Sequence, residues 1–418
     1  MTRSSLRVFP LVFILSAVLF LSCVAAADRP SYTLNQQAMQ RMEKGEYVEA
    51  IQLLKRALEI QPQQDVIRYN LGQAYLRAGE QLIGEYRYGA ASEMLETGKQ
   101  YDEQESRFWL FNGLALLKAN DYLYAESELN EAWSMTGDEV QVLTLLGRLY
   151  YHTDRMRDAV DAWERVLFLS PQDQAVADQL ERLRRELAVE QEMAKEYGGH
   201  FIINYDGEVT PSLGNDVMEV LEDAYDWVSS QLGHYPQRRV PVIIYANADF
   251  SNLTNSPDWA AGVYDGKIRL PAGGVSQVDS RVRGLLFHEF MHVVVRELAG
   301  NNVPLWLNEG LAEVASAEQL SPHMDLLEQA RRSDELFSWS ELETSARQFS
   351  AARAGVAYLQ SYDFVRFLLD EYGWFQMREL LDALGRGATI SAAIDHALGF
   401  YAVDYATLQL RWSEERGR

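Results

Sequence analysis

Cysteine is nearly absent from this chain of 418 residues: Cys23 is the only one. No internal disulfide can form, so folding depends on packing alone even in an oxidising compartment. Basic residues are also scarce, with 38 Lys and Arg against 61 Asp and Glu and a net charge of −23. A surface of that sign repels nucleic acid and anionic lipid headgroups, so neither is expected as a partner. The apolar run "LVFILSAVLFLS" (residues 11–22) is too short to favour a permanent membrane span. Hydrophobic residues are not scarce: at 47%, with 11% aromatics, they exclude a largely disordered protein. The length exceeds the comfortable size of one core, which predicts two or three domains.

The first thirty residues read as an export signal. Arg3 and Arg7 form a basic start, residues 11–22 the apolar region, and "AAA" (25–27) an A-x-A cleavage site. Residues 1–27 are therefore expected to be a signal peptide, leaving a soluble exported protein in the periplasm or cell envelope if the signal is bacterial. "FLSC", ending at Cys23, resembles a bacterial lipoprotein acceptor but has Phe20 where that pattern wants Leu. Lipid attachment at Cys23 is the alternative outcome and would give the only membrane tether.

Self-similarity follows. Ala38, Gly72, Gly113 and Gly147 occupy equivalent small-residue positions separated by 34, 41 and 34 residues. Downstream recur Tyr47–Ala50–Leu54–Ala57, Tyr88–Ala91–Leu95–Gly98, Tyr122–Ala125–Leu129–Ala132 and Met156–Ala159–Trp163–Val166. Small residues let two helices approach, and large ones fill the groove of the next pair. The pattern over residues 31–171 resembles four tetratricopeptide repeats, helix–turn–helix units of about 34 residues. About seven extra residues fall in the second unit, around "EQLIGEY" (80–86). Such repeats imply a groove for a protein partner. Residues 172–199 read as a charged helix that caps the array, its charges on a solvated face and its end at Gly198–Gly199.

From residue 200 the periodicity changes. "HFIINYD" (200–206) and "VPVIIYA" (240–246) read as strands, and "DVMEVLEDAYDWVSSQLG" (216–233) as an amphipathic helix. "AGVYDGKIRLP" (261–271) reads as a hairpin or bent edge strand around Asp265–Gly266. Helices then dominate to the C-terminus. Strands first and helices after predict an α+β arrangement for residues 200–415.

Within that region "GLLFHEFMHVVVRELAG" (284–300) places His288, Glu289 and His292 in an apolar run. In a helix the two imidazoles project from one face, at a spacing that lets both reach a common ion. Glu289 is rotated by about 100° and can stay off the ion while remaining next to it. A carboxylate there can take a proton from water activated by the metal. Two buried histidines flanking a buried glutamate with no metal would be costly to desolvate. Glu309 lies 17 residues beyond His292, in "PLWLNEGLAEVASAE" (304–318), after a turn rich in Gly, Asn and Pro. A second helix running back beside the first would bring Glu309 in as an oxygen ligand. Glu313, one turn on, would accept the other N–H of a ligand histidine.

"HEFMH" followed by "WLNEGLAE" resembles the gluzincin metallopeptidases, and the repeat array in front resembles exported bacterial peptidase-MA-like proteins. The resemblance covers about residues 200–415. It implies an all-α tetratricopeptide solenoid followed by an α+β zincin-like domain, with one Zn²⁺ per chain on His288, His292 and Glu309. Gluzincin aminopeptidases carry an oxyanion-stabilising tyrosine in Y-x-K-G-x-x-L-L-R-x-L. "YLQSYDFVRFL" (358–368) aligns Tyr358 and Arg366 with that pattern, with Gln360–Ser361 in place of Lys–Gly. Tyr362, one turn on, is the rival. The strand before the zinc helix in this family lies along the cleft, which assigns Gly262, Val263 and Tyr264 to a substrate-pairing edge. Aminopeptidases of the clan have G-x-M-E-N there; Gly262-Val263-Tyr264-Asp265-Gly266 lacks that Glu, a departure favouring cleavage within chains.

The function these residues imply is an exported zinc-dependent endopeptidase acting on peptides or proteins, with Glu289 as general base. The competing reading is a cell-envelope adaptor in which the repeats act and the zincin-like domain is non-catalytic. A metal-dependent hydrolase of some other bond has the same ligands. His152 and His200 look structural, and His234, His323 and His396 are assigned no role.

Overall fold

The computed structural model describes residues 30–190, 193–205, 211–245, 263–264, 266–271, 277–343 and 349–416. The expected signal peptide with Cys23, and Gly262 and Asp265 of the expected edge strand, lie outside these residues. Four helical pairs come first: α1 (30–43) with α2 (Tyr47–Ile60), α3 (Asp65–Gly84) with α4 (Tyr88–Lys99), α5 (Arg107–Lys118) with α6 (Tyr122–Thr136), and α7 (Val140–His152) with α8 (Met156–Leu169). With α9 (Gln174–Glu190) they form the TPR-like helical solenoid. The small-to-large rule is visible at Gly147, where an added Cβ would stand 2.2 Å from Nε1 of Trp163. The extra residues of the second unit lengthen α3 to 20 residues, against 14 in α2, rather than forming a loop.

Two compact units divide the described chain: residues 30–85 with 90–112, and residues 86–89 with 113–416. Leu54, Leu71, Leu76, Leu95 and Phe108 are buried in the core of the first. The second contains α6 to α9 together with the domain that follows.

That domain begins with a five-stranded sheet in the order β1-β2-β3-β5-β4, from β1 (Ala194–Tyr197), β2 (Phe201–Tyr205), β3 (Val240–Tyr245), β4 (Val263–Tyr264) and β5 (Ile268–Pro271). β2 and β3 are parallel, as are β3 and β5, whereas β1 and β4 pair antiparallel at the two edges. A parallel neighbour needs a crossover, and α10 (Pro211–Leu232) supplies it between β2 and β3. Residues 172–199 differ from the expected single helix. α9 is described over Gln174–Glu190, and "AKEY", mostly good helix formers by propensity, is strand β1. Ladder pairing with β2 overrides propensity there, and Gly198–Gly199 turn a hairpin, Gly198 N donating to Phe201 O at 2.9 Å.

The period of two sorts the sheet's faces. Phe201, Ile203, Val242, Ile244, Ile268 and Leu270 pack into the main core with α10 and α11 (Ser280–Ala299). Lys267 and Arg269 point the other way, yet each is only 2% exposed. Lys267 Nζ lies 2.8 Å from Asp154 Oδ1 and 3.4 Å from both Glu186 and Glu190, while Arg269 pairs with Glu186 and donates to the hydroxyls of Tyr245 and Tyr151. The charges of α9 are therefore not all on a solvated face: Glu186 and Glu190 are buried against the sheet. Burial works to raise Glu186, but Arg269 and Lys267 hold it below the ordinary carboxylate range. Burial pushes Glu190 up to about 7, against the pull of Lys267. Three carboxylates facing two cations leave one proton to be kept, and Glu190 keeps it.

The remaining helices are α12 (Leu305–Ala317), α13 (Asp325–Arg332), α14 (Trp339–Leu342), α15 (Ala351–Gly385, broken at Gly373 with φ 81°), α16 (Ile390–Leu398) and α17 (Tyr405–Glu415). Trp306, Phe364, Trp339 and Trp412 pack in one aromatic cluster between α12, α14, α15 and α17. Among the described residues no helix is long and apolar enough to cross a membrane.

Candidate metal centre

The site is built on α11 and α12. Asp279 caps α11, its carboxylate accepting from the backbone N–H of Arg281 and Val282 at 3.0 and 2.9 Å. Gly300, at φ 62°, ends the helix, and the chain returns through Pro304 into α12. Leu286, Phe287, Phe290, Met291 and Val294 bury most of α11, so the stripe bearing His288 and His292 is left facing α12.

The two Nε2 atoms lie 3.1 Å apart, with the rings nearly perpendicular at 85°. Glu309 Oε2 is 3.7 Å from Nε2 of His288 and 3.6 Å from Nε2 of His292. Bonds of about 2.0–2.1 Å in a tetrahedron put donor atoms roughly 3.3 Å apart. The three observed separations bracket that edge, and the three residues form the one metal-capable group found among the described residues.

The other nitrogens are held from outside. His288 Nδ1 is 3.4 Å from Oε1 of Glu313, and His292 Nδ1 is 3.2 Å from Oδ1 of Asn308. With protons on both Nδ1 atoms, both Nε2 lone pairs face Glu309. Asn308 also donates from Nδ2 to Oε1 of Glu309 at 3.3 Å, so it steadies a histidine and a carboxylate together. Sequence reasoning assigned Asn308 no role. Its signal was its place beside Glu309, one residue before a ligand on a helix that must run back along α11.

Electrostatically the site is short of positive charge. Burial drives Glu289 well above the ordinary carboxylate range, and the charge of Glu309 adds to it. Burial also raises Glu309, against the pull of His292, and pushes Glu313 up to about 7 with Glu309 contributing. Burial and the neighbouring His292 push His288 well below the usual imidazole value. Each shift disfavours the carboxylate charges and keeps the histidine neutral, which is the response of a donor set made to face a cation. Oε2 of Glu289 is buried with no hydrogen-bond partner among the described residues. The residues present therefore fit a divalent metal.

Tyr358, on α15, lies within the field of Glu309, Glu313 and Glu289; burial, with those charges, raises its phenol far above the ordinary value. Tyr362 instead interacts with Arg366, Asp363, Asp370 and Arg416, away from the ligands. Gly310 makes the approach of α12 to α15 feasible: a Cβ there would stand 2.5 Å from Ser361 O and Val365 Cγ2. Gln360 and Ser361, which replace Lys–Gly in the aligned pattern, are structural; the Gln360 amide clasps Phe337 N and O, each at 2.9 Å, and Ser361 Oγ donates to Ala357 O. Arg366 pairs with Asp370 on an exposed face. Val263 and Tyr264 form the edge strand β4, paired with Arg269 and Ile268 of β5. His200 and His234 pair with Glu222 and Glu297, remote from the ligand set.

The profile of the Peptidase MA superfamily matches residues 222–415, and that of a TPR repeat matches residues 40–79. Residues 222–415 are a Peptidase MA superfamily domain. All three donors of the site, with Glu289, Glu313 and Tyr358, fall inside this MA domain. No curated protein matches the chain. Among solved structures, "MamA RS-1 ArsTM double mutant" is similar at 16% identity and TM-score 0.32, over 38% of this chain and 84% of that one. TTC0263, a thermophilic TPR protein of Thermus thermophilus, is similar at 18% identity and TM-score 0.23, over 37% of this chain and 98% of its own. Yeast Tom70 is similar at 11% identity and TM-score 0.27, over 93% and 69%.

Proposed function

We propose that the chain is an exported zinc-dependent peptidase that cuts within polypeptides, its repeats recruiting substrate or a partner protein. The observation behind this reading is the convergence of His288, His292 and Glu309 donors, all within 4.8 Å of one another, beside a buried Glu289. A zinc ion on those donors would supply Lewis acidity and a positive charge against which Glu309 and Glu289 stay ionised.

The chain's own residues do the rest. Ionised Glu289 takes a proton from the attacking water as its oxygen bonds to the scissile carbonyl carbon. The Tyr358 phenol, kept protonated by its surroundings, donates to the developing oxyanion. As the C–N bond breaks, Glu289 returns the proton to the leaving amine. Val263–Tyr264 offers an edge along which an extended peptide can pair. The sequence Gly262-Val263-Tyr264-Asp265-Gly266 holds no glutamate to grip a free amino terminus, which supports internal cleavage. Export to the periplasm or cell envelope rests on residues 1–27, with Cys23 as the lipidation alternative.

Metal content and casein cleavage, measured on wild type and Glu289→Gln, test the proposal. Zinc near one per chain in both proteins, with cleavage only in wild type, is the expected result. Cleavage retained by Glu289→Gln would remove Glu289 from the general-base role, and a wild type that cuts nothing while its cellular role survives the substitution would favour the adaptor reading.

A further inference from the structure

A second, basic site lies in the same compact unit, where the ends of α5, α7 and α11 meet. A cavity of about 50 Å³ is lined by Lys118, Asn120, Arg148, His152, Arg296 and Asn301, with Leu117 as its one apolar lining residue. One water occupies about 10–15 Å³ of such space, so the cavity has room for a small ion. In a chain with 61 acidic residues to 38 basic ones, the lining holds three cations and no carboxylate.

Among the described residues the three cations lack acidic partners. Burial lowers the Lys118 ammonium below its ordinary value, and the charges of Arg148 and Arg296 lower it further with no acid opposing them. The nearest acid in sequence, Glu297, is turned to His234 at 2.8 Å. Elsewhere in this unit half-buried arginines are matched, as Arg331 is by Glu328 and Asp363, and Arg378 by Asp382. Three like charges held together without a counter-charge repel one another, which the fold sustains only at a cost unless an anion sits between them.

The walls are fixed rather than loose. Asn120 sits at φ 61° and donates from Nδ2 to Arg296 O at 3.0 Å, while its Oδ1 accepts from Tyr122 at 3.0 Å. Arg238 stacks on Tyr122 at 4.4 Å, adding a fourth positive charge nearby, and His152 stacks on the same ring at 5.8 Å. Arginine forks and an ammonium converging on a small cavity match the geometry and charge of a tetrahedral oxyanion.

We propose that this cavity, on Lys118, Arg148 and Arg296, is a binding site for a small, doubly charged tetrahedral oxyanion of the phosphate or sulfate class. The anion offsets the repulsion between the end of the metal-bearing helix α11 and the helices α5 and α7. It is separate from the metal centre and does not depend on peptidase activity.

Thermal unfolding of the full chain in chloride, phosphate or sulfate at matched ionic strength tests this, together with titration calorimetry using inorganic phosphate. For wild type we expect phosphate or sulfate in about tenfold excess over its dissociation constant to raise Tm by roughly 2–4 °C above chloride. Lys118→Gln and Arg148→Gln should lose that increment while melting in chloride at the wild-type temperature or higher, because repulsion is relieved. His292→Ala should keep the increment. No increment in wild type overturns the proposal. So does an increment that survives both cation substitutions, or one abolished by His292→Ala, which would place the anion at the metal centre. If one substituted protein fails to fold, the other, with wild-type calorimetry, gives the same decision.

Discussion

Nδ1 of His288 stands 3.4 Å from Glu313, while its Nε2 stands 3.7 Å from Glu309. Two successive turns of α12 thus address the two ends of one imidazole. Glu313 is outside the group of three donors that could hold a metal; in the proposed site it would set which nitrogen is left free. Glu313→Gln should therefore keep the fold and weaken zinc binding by about 10–100-fold, measured by competition with a chromophoric chelator. Unchanged zinc affinity would show that Glu313 does not orient His288.

Removing the metal should expose the charge imbalance of the site. Glu313, pushed up to about 7 by burial and Glu309, gives the metal-free protein stability that is complete below the unfolded value of 4.5. That stability is lost as pH rises through about 7. Glu289 and Glu309 shift in the same direction. His288, pushed below 6.5, works oppositely: its contribution is present above 6.5 and is lost as pH falls. Three carboxylates outweigh one imidazole, and protons also compete with metal at low pH. The difference in Tm between zinc-loaded and chelator-treated protein should widen between pH 5 and pH 8. A difference that narrows over that range would contradict the proposed donor set.

The buried network on the other sheet face makes its own prediction. Glu190, pushed up to about 7 by burial, holds a proton in the folded state that it would release above 4.5 when unfolded. Its stabilisation is complete below 4.5 and lost as pH rises through about 7. Wild type should lose roughly 1–3 kcal/mol over that interval relative to Glu190→Gln, read from denaturant unfolding at a series of pH values. Lys267→Met removes a cation facing Asp154, Glu186 and Glu190, and should destabilise by about 3–5 kcal/mol.

How much of this was legible in the sequence varies with the interaction involved. His288, Glu289, His292, Glu309 and Glu313 could be placed because helical spacing alone decides which side chains share a face, and two short helices decide the site. The strands Phe201–Tyr205 and Val240–Tyr245 followed from β-branched runs in the same local way. Strand Ala194–Tyr197 could not, because "AKEY" favours a helix and only a partner strand makes it extended. Nor could the burial of Lys267 and Arg269: "KIRL" alternates as a strand with one wet face would, and only α9 across the fold makes that face dry. Gly310 is a like case, since its lack of a side chain matters only once Ser361 is packed against it.

Tyr358 and Tyr362 lie one turn apart, and sequence alone leaves the choice between them open. Position separates them: Tyr358 feels Glu309, Glu313 and Glu289, whereas Tyr362 feels Arg366, Asp363, Asp370 and Arg416. A phenol among carboxylates resists ionisation, so it remains a donor across the working pH range and can meet a developing negative charge. If that is its task, Tyr358→Phe keeps the packing of the ring and removes only the donor. Its kcat on a peptide should fall by about 10²-fold with KM little changed, because a hydrogen bond formed only as the oxyanion develops does not contribute to ground-state binding. Zinc content and Tm should stay at wild-type values, and Tyr362→Phe should leave kcat within about twofold on the same reasoning. A fall in kcat for Tyr362→Phe but not for Tyr358→Phe would transfer the oxyanion role to the outer tyrosine, against the charge environment that favours Tyr358.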